Sequence, residues 1–146
     1  MKKTKTTIPL ESWLYIVRKM LNDSAIRDEL SVPWFSVKAC QGGLTDSQIC
    51  ELNNAVWNIA RRLACIRIVY NNKRKNVPNQ IYEKLSSVKH RYIYDRYLER
   101  SEHWWRRKMS NDKENLFTED EVVTINLALS DIAMQLLGLE LVADKD

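Results

Sequence analysis

Apolar residues recur at helical spacing through two stretches of the chain. In LTDSQICELNNAVWNIARRLACIRIV, residues 44–69, Ile49, Leu52, Val56, Ile59, Ala60 and Leu63 share one face, while Glu51, Asn54, Asn58, Arg61 and Arg62 fall mostly opposite. In FTEDEVVTINLALSDIAMQLLGLELV, residues 117–142, the same face is made by Val122, Ile125, Leu129, Ile132, Ala133 and Leu136. The two stretches align without a gap at an offset of 73, half of the 146-residue chain. Thr45 then falls on Thr118, Asn53 on Asn126, Ala55 on Ala128, Leu63 on Leu136 and Val69 on Val142. Each stretch opens on a capping-box pattern, Thr45 with Gln48 and Thr118 with Glu121, whose side chains satisfy amides that a helix start leaves unpaired. Two long amphipathic helices are predicted. Asn53 and Asn126 read either as a matched pair that sets register between them or as polar residues at the edge of an apolar face.

The rest of the chain is punctuated more weakly. A first helix is predicted from about Pro9, with Leu10, Trp13, Leu14, Val17 and Leu21 on one face. Asn22, Asp23 and Ser24 can cap a short second helix through Ala25, Ile26 and Leu30. Pro33 ends it, and an irregular connector runs through Trp34 and Phe35 to Gly42 and Gly43. The two rings there read as a plug for the end of a bundle or as a partner's anchor. After a polar basic loop, residues 71–76, a helix is predicted from near Pro78 to near Met109. Its apolar stripe changes side: Ile81, Leu85, Val88 and Tyr92 give way to Ile93, Tyr94, Tyr97, Leu98, Trp104, Trp105 and Met109. With no Gly or Pro inside it, a continuous or gently bent helix is expected. A polar connector, residues 110–115, leads to the last helix. The chain therefore reads as one all-α domain, 1–146, a bundle of about four main helices. Its halves, 1–73 and 74–146, would be two related helical hairpins.

Composition supports this class. Only three glycines and three prolines occur, few for the turns that sandwiches and barrels need. No apolar run reaches the roughly 18 residues of a membrane span. The basic MKKTKTT start is followed by Glu11, Arg18 and Lys19 rather than a signal-peptide core, so a soluble, cytoplasmic protein without a membrane partner is expected. Cys40, Cys50 and Cys65 show no metal-site spacing and, with His90 and His103 the only histidines, read as reduced thiols; no metal or cofactor is expected. The net charge of +4 hides a basic body and an acidic end: residues 1–114 carry 22 Lys and Arg against 12 Asp and Glu, and residues 115–146 one against seven. Such polarity favours an anionic partner or head-to-tail pairing with a second copy.

The stretch HRYIYDRYLERSEHWWRRK, residues 90–108, interleaves cations and aromatic rings. Partner-binding residues are expected at Arg96, Arg100, Trp104, Trp105, Arg106, Arg107 and Lys108, with a second basic set at Arg61, Arg62, Lys73, Arg74 and Lys75. Trp, Tyr and Arg anchor protein interfaces, and five Trp with six Tyr exceed what a bundle of this size needs inside. The expected function is therefore a non-catalytic protein-interaction module, an adaptor, regulator or inhibitor, or a homo-oligomer. The same residues suit nucleic acid, where cations meet phosphates and rings stack on bases, and that is the alternative. No catalytic residue is assigned, since phosphate loops, nucleophile elbows and metalloprotease motifs are missing from the sequence. Arg96 and His103, with six residues between them and so near one face of the expected helix, resemble the Arg-x4–6-His spacing of the HEPN family, small helical ribonucleases and nucleotide-binding partners. The resemblance spans those eight residues, with Tyr97 where the family has its usual polar residue. It implies a remote alternative in which the imidazole is a general acid or base and the guanidinium stabilises phosphate charge.

Overall fold

The computed structural model describes residues 5–71, 76–110 and 116–143. A short strand β1 (Thr6–Ile8) leads into helices α1 (Leu10–Met20), α2 (Asp23–Glu29), α3 (Val37–Cys40) and α4 (Asp46–Cys65). Helices α5 (Asn76–Lys84), α6 (His90–Arg96), α7 (Glu102–Met109) and α8 (Glu119–Leu137) follow, and strand β2 (Leu139–Leu141) pairs in parallel with β1, Thr6 opposite Leu139 and Ile8 opposite Leu141. The chain is mostly helical, as expected. It has eight helices among the described residues rather than about four main ones, because the segments before each long helix fold as several short helices.

The centre is α4 against α8, the most extensive helix pairing in the molecule. Both capping boxes form: Gln48 N–H donates to Thr45 Oγ1 at 3.1 Å and Glu121 N–H to Thr118 Oγ1 at 3.2 Å, with each reciprocal bond also present. Leu52, Val56, Ile59 and Leu63 of α4 meet Val122, Ile125, Leu129, Ile132 and Leu136 of α8, all buried. Ala55, Ala60, Ala128 and Ala133 lie on the buried faces, where small side chains let two helices approach closely. The two long helices pair with each other, and the short helices pack around them. Their apolar stripes are the longest in the chain and bury the most surface when joined.

The expected continuous helix from Pro78 to Met109 is replaced by α5, α6 and α7, and neither break uses glycine or proline. At the first, Val88 forms an antiparallel bridge with Leu21. Asn22 N–H donates to Ser87 O at 2.9 Å, and Lys89 N–H to Met20 O at 2.8 Å. The backbone groups that would have continued the helix are committed to the junction between α1 and α2 instead. At the second, Glu99 adopts a positive φ of 54°, reversing the chain between α6 and α7. Each short helix can then turn its own apolar residues inward, which explains why the stripe changes side in the sequence.

Asn53 and Asn126 do not touch each other. Asn53 Nδ2 donates to Leu141 O at 2.9 Å, and Leu141 N–H donates to Asn53 Oδ1 at 2.8 Å. Asn126 Nδ2 donates to Ile68 O, and Ile68 N–H to Asn126 Oδ1, both at 2.8 Å. Each amide thus grips both backbone groups of one residue in the extended segment that follows the other long helix. The gripped residues, Ile68 and Leu141, fall on each other in the same alignment that matches the two asparagines. Phe35 is buried edge-on to Trp13, centroids 6.5 Å apart, and to half-buried Trp34 at 6.3 Å, so these rings close the core.

Candidate functional site

Helices α6 and α7 form a compact unit with an inner and an outer face. Tyr97 and Leu98 both direct their N–H groups to Ile93 O, and Arg100 N–H reaches back to Tyr94 O at 2.8 Å, so the turn is closed by the end of α6. Ser101 then caps α7, its hydroxyl accepting from Trp104 N–H. Inside, Trp105 lies 5.6 Å from Tyr94, 5.4 Å from His90 and 5.6 Å from Phe117. With buried Ile93 and Met109, this cluster fixes α7 against α6 and the entry to α8. Burial pushes the His90 imidazole below its ordinary pKa, against a smaller upward pull from its contact with Leu85 O. Outside, Glu102, His103, Arg106 and Arg107 are exposed, Arg106 pairing with Glu102 at 2.6 Å. Thus α6 and α7 are two short helices joined by a turn with one left-handed residue, Glu99, and α7 carries a basic outer face.

The residues singled out from the sequence separate into distinct places. Arg100, Arg106 and Arg107 are on the surface of the turn and α7. Trp105, 5% exposed, is a core residue, and Trp104 is half-buried edge-on to Phe117 with Arg100 and Lys108 over its ring at 5.4 and 5.3 Å. Lys108 is drawn inward, donating to Leu116 O at 2.9 Å and pairing with Glu121 at 3.1 Å, so it anchors α7 to α8. Arg61 bonds Asn58 and Arg62 pairs with Glu29, both on α4 away from α7. Lys73, Arg74 and Lys75 lie outside the described residues, as does most of the connector after Ser110. Arg96 ends α6 and His103 opens α7, so they do not share one helix face as the sequence spacing implied.

Arg96 belongs instead to a cleft of about 550 Å³ between α1 and α6. Five cations line it: Arg18 and Lys19 from α1, and Lys89, Arg91 and Arg96 from α6 and its cap. Asp95 is the one carboxylate in the lining, and Tyr15 and Tyr92 supply rings. Arg18 is held by Asp23 through bonds of 2.9 and 3.1 Å, Lys19 sits 3.9 Å over Tyr15, and Arg96 lies 5.3 Å over Tyr92. The hydrogen bond and charge of Lys19 hold the Tyr15 phenol below its usual pKa. No local sequence signal announces this cleft, because its walls come from distant parts of the chain. Among the described residues, no group of three or more His, Cys, Asp or Glu side chains gathers where a metal ion could sit, and no helix is long and apolar enough to cross a membrane.

No curated protein matches the chain, and no solved structure does. Residues 77–140, running from the first turn of α5 into β2, are similar to the family described as Domain of unknown function (DUF5053).

Proposed function

We propose that the protein is a non-catalytic nucleic-acid-binding protein that presents α7 to a duplex. The observation that carries this reading is the α6–α7 unit, whose inner face is locked by Trp105 and whose outer face offers His103, Arg106 and Arg107 beside Arg100. Such a unit sets a short, rigid helix against a groove while nearby cations neutralise phosphates. It acts in the cytoplasm, and its pseudo-repeat halves, 1–73 and 74–146, hold each other through the matched asparagine clamps. The test is anisotropy of labelled duplex DNA, single strands and RNA across a salt series, with the double variant Arg106→Ala/Arg107→Ala. The parent should bind duplex with affinity falling steeply as salt rises, and the variant should lower the log–log salt slope by about 2, about one per phosphate contact. Unchanged binding by the variant, or no binding by the parent at low salt, rejects the reading.

A second reading, the protein-interaction module or homo-oligomer, draws on a different surface. Val123, Leu127 and Met134 stand out from α8 at 51%, 64% and 64% exposure, an apolar stripe on one side of the helix. Light scattering on the same sample separates the two: a stable oligomer without nucleic-acid binding favours this one. The HEPN-like alternative loses its premise of Arg96 and His103 on one helix face.

A further inference from the structure

The α1–α6 cleft has a counterpart in the other half of the molecule, and the contrast between the two is informative. The spacing that carries Met20 onto Ser87 and Asn22 onto Lys89 in the bridge also carries Arg91 onto Ser24, Tyr92 onto Ala25, Arg96 onto Glu29 and Lys19 onto Ser86. Those four counterparts line a smaller cleft of about 260 Å³ beside α2. The architecture is thus built once with Ser, Ala, Glu and Ser, and once with Arg, Tyr, Arg and Lys. Folding requires neither the cations nor the ring at these positions. Arg18 is paired with Asp23, and Lys19 and Arg96 rest on rings, but Lys89 and Arg91 make no ion pair among the described residues. Concentrating like charges in one concavity is unfavourable unless an anion joins them.

We propose that this cleft binds a small phosphorylated aromatic ligand, of the nucleotide class, at a site separate from the outer face of α7. Its volume of about 550 Å³ lies within the range of roughly 300–1,000 Å³ that small-molecule pockets occupy. Arg91, Lys89 and Lys19 meet the phosphates, the guanidinium of Arg91 being suited to paired bonds with phosphate oxygens. Tyr15, 66% exposed at the rim, offers its ring face opposite Lys19 for a base to stack on. Asp95 opposes a bare polyanion but can accept from an amino or hydroxyl group of the ligand.

Titration calorimetry with ATP, adenosine and tripolyphosphate tests the proposal on the full chain. The parent should bind one ATP, and bind it more tightly than tripolyphosphate. Lys89→Ala/Arg91→Ala should weaken ATP at least tenfold, and Tyr15→Ala should weaken ATP while leaving tripolyphosphate as it was. All three substitutions are of side chains outside the core, and circular dichroism of each variant verifies the fold. Arg106→Ala/Arg107→Ala should bind ATP as the parent does, whatever it does to duplex binding. Equal affinity for ATP and tripolyphosphate, or no effect of the cleft variants, overturns the proposal. So does a duplex that competes with ATP and is lost with the cleft variants alone, since the cleft would then follow a nucleic-acid backbone.

Discussion

Replacing Asn53 with Ala removes the donor to Leu141 O and the acceptor for Leu141 N–H in one step. On its other edge β2 is paired with β1, and Val142 N–H donates to Ile8 O at 3.0 Å, so the strand stays in place with one residue's polar groups uncovered. Asn53 is 7% exposed and Leu141 2%, which keeps water from substituting for the lost amide. A net hydrogen bond contributes about 1 kcal/mol, and a buried group left unpaired costs about 1–3 kcal/mol. The expected loss is therefore about 2–4 kcal/mol, or a fall of about 10 °C in Tm for a chain of this size. Asn126→Ala should cost less, about 1–2 kcal/mol, because Asn126 is half-buried and solvent reaches part of the gap. Asn53→Asp separates hydrogen bonding from size: the carboxylate still accepts from Leu141 N–H but sets a second acceptor against Leu141 O, so it should destabilise at least as much as Ala. Urea unfolding followed by tryptophan fluorescence measures all three. An Asn53→Ala variant within about 0.5 kcal/mol of the parent would refute the clamp as a source of stability.

Other expectations can be checked on the same preparations. Ile132→Asp and Ile59→Asp each bury an unpaired charge between α4 and α8 and should abolish cooperative unfolding; a sharp transition in either would mean that this pair is not the core. His90 has its folded pKa lowered, so the unfolded chain takes up its proton first as the pH drops. Its neutral form supports the fold fully above the ordinary value of 6.5, and that support is lost as pH falls through the lower folded value. His90→Gln should flatten this part of the stability–pH curve. Cys50 and Cys65 are exposed and Cys40 is buried with its thiol pKa raised, so a thiol reagent should titrate two sulfurs quickly and the third only on unfolding. Three equally fast sulfurs would contradict the packing around α3.

Local chemistry was legible in the sequence, and chemistry assembled at a distance was not. Thr45 with Gln48 and Thr118 with Glu121 announced both long helices, because a capping box is complete within four residues. The migrating stripe between Ile81 and Met109 was visible too, but what it meant was decided elsewhere. Val88 leaves the helix because Leu21 is there to bridge it, and Glu99 turns left-handed without being glycine. Trp105 read both as a partner's anchor and as part of an apolar stripe with Tyr94 and Met109; the stripe reading holds, but that His90 and Phe117 also enclose the ring was not legible nearby in sequence. Lys108 sat in a row of three cations, yet it alone is folded inward by Glu121 of α8. The basic cleft escaped for the same reason: Lys19 and Arg91 become neighbours only when α1 meets α6. Asn53 and Asn126 were recognised as a pair, but their partners are extended backbone that carries no side-chain signature.

The crossed asparagine clamps also bear on how a nascent chain acquires its fold during synthesis. When Ile68 leaves the ribosome, the amide that will hold it belongs to Asn126, which has not yet been made. The apolar side of α4 waits for α8 over the same interval, and β1, translated before either long helix, waits for Leu139 and Leu141. The early half thus emerges with its hydrophobic stripe uncovered, a natural client for a chaperone, and folding is committed only when the last turns of α8 and the strand beyond it are free of the exit tunnel.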